Sequence, residues 1–154
     1  ACAPVAVYWY RLAAQAGLDW GMYNYASALA LGHGVECDRA QALQWFRRAA
    51  ETGHVKSLNY IGSFYEDGWA VDVDAGIALD YYRRAAVGGD FRGQFNYARL
   101  LATRGEIDAA LGWLRRVPMT ATAAFVEKMR AWLAGSPVAA FRALAAEIDE
   151  KVHA

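Results

Sequence analysis

The chain has 154 residues, of which 56% are hydrophobic and 21% charged, so it is a folded domain or short solenoid rather than a disordered segment. Its 16 basic and 16 acidic side chains cancel, which argues against nucleic acid as the main ligand, since neutralising phosphates needs a basic excess. No run of 18 apolar residues is present, so no membrane span is expected.

The first patterned segment, about 3–16, contains Trp9-Tyr10-Arg11-Leu12-Ala13-Ala14-Gln15-Ala16-Gly17. The string returns 36 residues later as Trp45-Phe46-Arg47-Arg48-Ala49-Ala50-Glu51-Thr52-Gly53, and after another 36 as Tyr81-Tyr82-Arg83-Arg84-Ala85-Ala86-Val87-Gly88-Gly89. A fourth, decayed copy, Trp113-Leu114-Arg115-Arg116, follows after 32. Between these strings lies a second recurring block. Gly21-Met22-Tyr23-Asn24-Tyr25-Ala26 aligns with Ser57-Leu58-Asn59-Tyr60-Ile61-Gly62 and with Gly93-Gln94-Phe95-Asn96-Tyr97-Ala98.

Apolar residues recur at steps of three and four in both blocks, so each unit is a pair of helices. Helix A spans about 18–31, 54–67 and 90–103. Helix B spans about 38–51, 74–87 and 106–116, with an earlier copy at 3–16. Gly17, Gly53 and Gly89 end helix B, where a left-handed residue costs least as glycine. Asp38 caps the next helix B, with Gln41 completing a capping box. Ala26, Gly62 and Ala98 share one helix A position, where a small residue lets helices approach. Trp9, Trp45, Tyr81 and Trp113 share one helix B position and are expected in the core. The paired arginines beside them, Arg47-Arg48, Arg83-Arg84 and Arg115-Arg116, read as a solvated face whose stems cover apolar surface.

The last 36 residues leave the pattern. A helix over 120–134 carries Phe125, Met129, Trp132 and Leu133 on one side. Ser136-Pro137 begins another, with Pro at its first position. Its stripe is Phe141, Leu144, Ala145, Ile148 and Val152, opposite Arg142, Glu147, Asp149, Glu150 and Lys151. A terminal helix with one charged face suits a solenoid end.

These strings resemble the Sel-one-like repeat family, a relative of the tetratricopeptide repeats, over about residues 1–116. The third copy departs from the family pattern in lacking the Gly-x-Gly-Val loop seen at Gly32-His33-Gly34-Val35. The resemblance implies an all-α fold, an α/α superhelical solenoid of stacked antiparallel helix pairs over 1–116, with C-terminal capping helices over 117–154. It also implies a scaffold role in protein complexes and no single activity. Some bacterial members carry a cysteine pair in every repeat, and this chain does not.

Few residues suggest chemistry. His33 and Cys37 are four apart beside Glu36 and Asp38, but they fall in a Gly-rich loop, and no metal site is expected. Cys2 and Cys37 occupy nearly equivalent places in adjacent repeats, about 9–10 Å apart by helix packing, beyond the roughly 7 Å a disulfide spans. His54 and His153 read as a helix-end and a tail histidine. No nucleophile motif, zinc-binding motif or phosphate loop is present, so no catalytic residue and no cofactor is expected.

A groove lined by helix A is the best functional candidate, because related solenoids turn helix A to their concave side. Its outward positions are expected to be Trp20, Tyr23, Asn24 and Ser27 in the first repeat, Lys56, Asn59, Tyr60 and Ser63 in the second, and Arg92, Phe95, Asn96 and Arg99 in the third. Such a row suits an extended protein or peptide partner: amides for its backbone, Lys56 and Arg92 for acidic side chains, Trp20 or Phe95 as anchor. Trp69 reads either as a further anchor or as folded onto the core. The expected role is therefore a protein-interaction scaffold. The alternatives are a structural segment of a longer solenoid with no ligand of its own, and an enzyme of unknown activity.

Only Lys56, Lys128 and Lys151 are lysines, a bias that with the many alanines fits a GC-rich bacterial gene. With no membrane span expected the protein is read as soluble, and the sequence leaves cytoplasm and periplasm both open. The chain opens without Met on a helix B that lacks its helix A. Val5, Tyr8, Trp9 and Leu12 are then left for a preceding helix or a second copy to cover. An upstream helix, and a homodimer through this N-terminal end in the isolated chain, are the expectations.

Overall fold

Glycine and aspartate punctuation cuts the chain into helices close to the expected ends. The computed structural model describes residues 3–153. The helices are α1 (Ala3–Gln15), α2 (Asp19–Leu31), α3 (Arg39–Glu51), α4 (Val55–Asp67), α5 (Ala75–Val87), α6 (Phe91–Thr103), α7 (Ile107–Leu114), α8 (Ala123–Ala134) and α9 (Ala139–His153). Among the described residues there is no strand. Gly17, Gly53 and Gly89 sit at φ 85°, 93° and 93°, closing α1, α3 and α5 as expected.

Asp38 accepts from the Gln41 amide and Asp74 from the Ile77 amide, capping α3 and α5. The capping box does not form. The Asp38 amide already donates to the Leu29 carbonyl, and the Gln41 side chain accepts from the Tyr25 hydroxyl instead. Cys2 lies outside the described residues, and Cys37 is an exposed free thiol.

α3 and α5 each lie against the A helices on either side, α1 packs on α2, α7 on α6, and α8 on α9. The closest approaches occur where no side chain intervenes. A Cβ added to Gly21 would lie 2.4 Å from the Cβ of Ala13, and one added to Gly93 2.5 Å from that of Ala85. The equivalent residue of α4 is Ser57, fully buried, whose hydroxyl meets Nδ1 of His54 at 2.8 Å. At Gly62 the missing Cβ leaves room for the Tyr82 ring.

Most buried apolar residues fall into two clusters, with Ala78, Tyr82, Ala85 and Ala86 of α5 buried between them. One runs from Val7 to Phe64, the other from Ala98 to Ile148. Phe46 is the hub of the first: it stacks on Tyr60 at 4.9 Å and meets Phe64 and Tyr23 edge-on. Trp69 folds back onto this cluster, edge-on to Phe64, with the Arg39 guanidinium 3.6 Å above its ring.

The recurring helix B aromatics, expected in the core, reach it only in part in three copies. Trp45, Tyr81 and Trp113 are half-buried against Tyr25, Tyr65 and Tyr97. Arg48, Arg84 and Arg116, one helical turn on, hold their guanidiniums 4.6, 5.1 and 4.6 Å over these rings. Trp9 is the exception: it is 60% exposed, because no helix lies on that side of α1.

The C-terminal segment differs from expectation at its helix starts. Val117–Met119 forms a 3₁₀ turn, and α8 begins only after Thr122, whose hydroxyl accepts from the Phe125 amide. Ser136 caps the turn before α9 by accepting from the Val138 amide, so α9 starts at Ala139, beyond Pro137. Its buried stripe stops at Ile148, and Val152 is 66% exposed.

Candidate binding surface on the A helices

The A helices α2, α4 and α6 form the tighter side of the stack. α4 packs directly on α6, and Tyr23 of α2 reaches Tyr60 of α4, their ring centroids 5.5 Å apart. Side chains 36 residues apart therefore fall into lines across this face.

One line is open. Trp20 is 49% exposed, and Lys56 and Arg92 are exposed as well. The Arg92 guanidinium rests 4.6 Å from the Phe91 ring and 5.6 Å from that of Phe125, which fixes its direction.

The next lines turn inward. Tyr23 packs on Tyr60, Phe46 and His54. Phe95 packs edge-on against Phe125 and Trp132 of α8. Asn24 donates to the Trp20 carbonyl of its own helix, and Ser27 to the Tyr23 carbonyl. Asn59 is not outward: it is 6% exposed, because Asn96 donates to its Oδ1 at 2.9 Å and seals it between α4 and α6. The outward expectation thus holds fully for Trp20, Lys56 and Arg92, partly for Tyr23, Asn24, Tyr60, Phe95, Asn96 and Arg99, and not for Asn59.

The structure assembles a polar network the sequence reading missed. Arg99 donates twice to the Glu66 carboxylate, at 2.7 Å each, and once to Asn96 at 3.2 Å. The Tyr82 hydroxyl donates to Glu66 at 2.8 Å and lies 3.1 Å from the Ser63 hydroxyl. A bidentate guanidinium–carboxylate pair is directional and strong when water is partly excluded. Here only about a quarter of each side chain is exposed. Arg99 and Glu66 lie 33 residues apart, one repeat less one helical turn, and that offset was the available signal.

Hydrogen bonds from Arg99 hold the Glu66 carboxyl below the usual range against the opposing effect of burial. Burial pushes the Tyr82 and Tyr23 hydroxyls up. It also lowers His54, and raises Asp90, the α6 cap whose side chain accepts from the Gly93 amide.

A carboxyl with a depressed folded pKa adds stability above its unfolded value, and loses it as pH falls through the folded one. Glu66→Gln should therefore be less stable than the native chain by about 1–2 kcal/mol at neutral pH, as expected for lost hydrogen bonds to a charged group. The gap should shrink as pH falls from the ordinary carboxyl range through the lower folded value of Glu66, where that side chain takes up its proton. Urea melts of both proteins at pH 7 and pH 3 check this, and an equal gap at both would contradict it.

Among the described residues, no group of three or more His, Cys, Asp or Glu is placed to hold a metal ion. No helix among them is long and apolar enough to cross a membrane. The side chain of His153 lies outside the description.

Comparison with known proteins places this architecture. Residues 4–18, 21–54 and 55–90 match the Sel1 repeat profile. The Sel1 repeat protein from Oxalobacter formigenes is 30% identical, with a TM-score of 0.73 over 86% of this chain and 57% of its own. A protective antigen present in uropathogenic Escherichia coli strains, displaying an SLR fold, is similar in fold. It is 24% identical, with a TM-score of 0.79 over 97% of this chain and 33% of its own. The chain thus spans between a third and three-fifths of the length of these relatives. No curated protein sequence gives a significant match. With more than half its residues matched by the repeat profile, and an all-helical stack of the same kind, the chain belongs to the Sel1 repeat family.

Proposed function

We propose that the A-helix face binds an extended acidic segment of a protein partner, with Trp20, Lys56 and Arg92 as its contact line. Sel1 repeats are generally scaffolds for protein interaction and typically non-catalytic, and this reading gives that role a surface. The supporting observation is that these three side chains, each 36 residues from the next, are all exposed on one face.

Neighbouring helices pack about 9–10 Å apart, and an extended chain rises about 3.3 Å per residue. One repeat therefore takes about three residues of the partner. The fitting segment carries two acidic residues about three apart, facing Lys56 and Arg92. A large apolar residue lies about three further on, against Trp20. The half-buried Tyr60 and Asn96 sit behind this line and give it rigid walls.

A labelled peptide of pattern Leu-x-x-Glu-x-x-Glu is the probe, with its Glu→Lys version as control. The native chain should bind the acidic peptide alone, more weakly as salt rises. Lys56→Glu with Arg92→Glu should weaken binding at least about tenfold, or about 1.4 kcal/mol, and leave thermal melting nearly unchanged. Equal binding by the double variant, or none by the native chain, would remove the proposal and leave a structural segment of a longer solenoid as the better reading.

A further inference from the structure

The outer side of α1 is more apolar than its place in the repeat requires. Val5, Tyr8, Trp9 and Leu12 are 56, 48, 60 and 38% exposed and share one side of the helix, opposite the buried Val7 and Ala14. Their equivalents are Gln41, Gln44, Trp45 and Arg48 in α3, and Ile77, Asp80, Tyr81 and Arg84 in α5. In both helices the A helix of the same repeat is already in place, yet only the aromatic position is half-buried and the other three stay exposed. A helix seated on α1 as α2 sits on α3 would therefore cover Trp9 and leave Val5, Tyr8 and Leu12 open. Of the two covers expected for this side, a preceding helix alone does not account for all four.

We propose that this stripe is a self-association surface, on which the α1 helices of two copies pair antiparallel about a two-fold axis. The stripe is self-complementary. Val5 lies three residues before Tyr8 and Leu12 three after Trp9, so its centre falls between the two aromatics. In an antiparallel pair Val5 meets the Leu12 position of the second copy and Tyr8 meets its Trp9 position, as an isologous contact demands. Tyr8 and Trp9 already hold each other edge-on at 5.3 Å, so pairing orders little further.

Charge points to a second copy as well. α1 contains no acidic residue, and Arg11 is its one basic residue, its guanidinium 5.9 Å from the centre of the Tyr8 ring. Two such stripes meet without repulsion, whereas a charged partner finds little to grip. Four side chains per copy bury less than the roughly 1,200 Å² of a standard interface, so the dimer is weak and concentration-dependent.

Sedimentation of the 154-residue chain from about 10 µM to about 1 mM, the range of a weak pair, should show average mass rising towards twice the monomer. Tyr8→Lys with Leu12→Lys should stay monomeric throughout, with an unchanged circular dichroism melt because both positions are exposed. Gln44→Lys, at the repeat position of Tyr8 in α3, should dimerise like the native chain. In a Cys2→Ser, Cys37→Ser background, a mixture of Val5→Cys and Leu12→Cys chains should cross-link on oxidation, while either alone should not. A native chain monomeric at every concentration overturns the proposal. So does a dimer that survives the double lysine variant, which would put the contact elsewhere, such as the apolar groove of about 320 Å³ beside Met119 and Val152. Cross-linking by Val5→Cys alone overturns the antiparallel pairing.

Discussion

Gly93→Leu should destabilise the protein by about 3 kcal/mol or more, at the upper end for overpacking a close contact. A Cβ there would lie 2.5 Å from the Ala85 Cβ and 3.0 Å from both the Ala85 carbonyl carbon and the Ala86 nitrogen. Two of those three atoms are backbone, so no rotamer change relieves the clash, and α5 and α6 must separate. For a chain of this length the loss corresponds to a fall in melting temperature of roughly 6–12 °C. A fall under about 2 °C would show that the two helices slide apart easily. Gly21, against Ala13 at 2.4 Å, predicts the same behaviour between α1 and α2.

Phe46→Ala should cost about 3–5 kcal/mol, the range for emptying a buried aromatic site. Phe46 is fully buried, and three other rings, Tyr23, Tyr60 and Phe64, converge on it from the two flanking A helices. Its neighbour Trp45 is larger but only half-buried, with one face under Arg48. Trp45→Ala should therefore cost clearly less, although transfer free energy alone ranks the two the other way. Urea midpoints measured at constant slope decide the order. A larger loss for Trp45→Ala would mean that the inward and outward sides of α3 had been exchanged.

The repeat made most of this fold readable before any coordinates. Glycine at 17, 53 and 89 and the 36-residue recurrence placed the ends of α1 to α6 within a residue, because each copy corrects the others. The C-terminal helix starts were misplaced for the opposite reason: with no second copy to align, Thr120 and Ser136 looked like starts as good as Thr122 and Val138. On the candidate surface, adding 36 to Trp20 found Lys56 and Arg92. The adjacent lines were harder, since Asn59 has the composition of a surface residue and is buried only because Asn96 satisfies it. Glu66 was invisible for a related reason: its partner lies 33 residues away, and a repeat alignment compares like with like, not acid with base. The apolar side of α1 needed no coordinates, since Gln41, Gln44 and Arg48 already showed what that position ordinarily carries.

Apolar surfaces that meet across a joint tolerate small rotations, because dispersion and water exclusion depend little on angle. A forked guanidinium on a carboxylate does not, since both bonds weaken steeply once misaligned. In this chain a stiff element joins α4 to α6, beside the buried Tyr82, Ala85 and Ala86 of α5. The Glu66–Arg99 fork and the Asn59–Asn96 bond there act as a protractor: they set the angle at which the two halves of the stack lean together. Those bonds tie α4, which carries Lys56, directly to α6, which carries Arg92, so they bear on the spacing of the A-helix face. Changing them should retune the bend of the superhelix while the helices themselves stay intact.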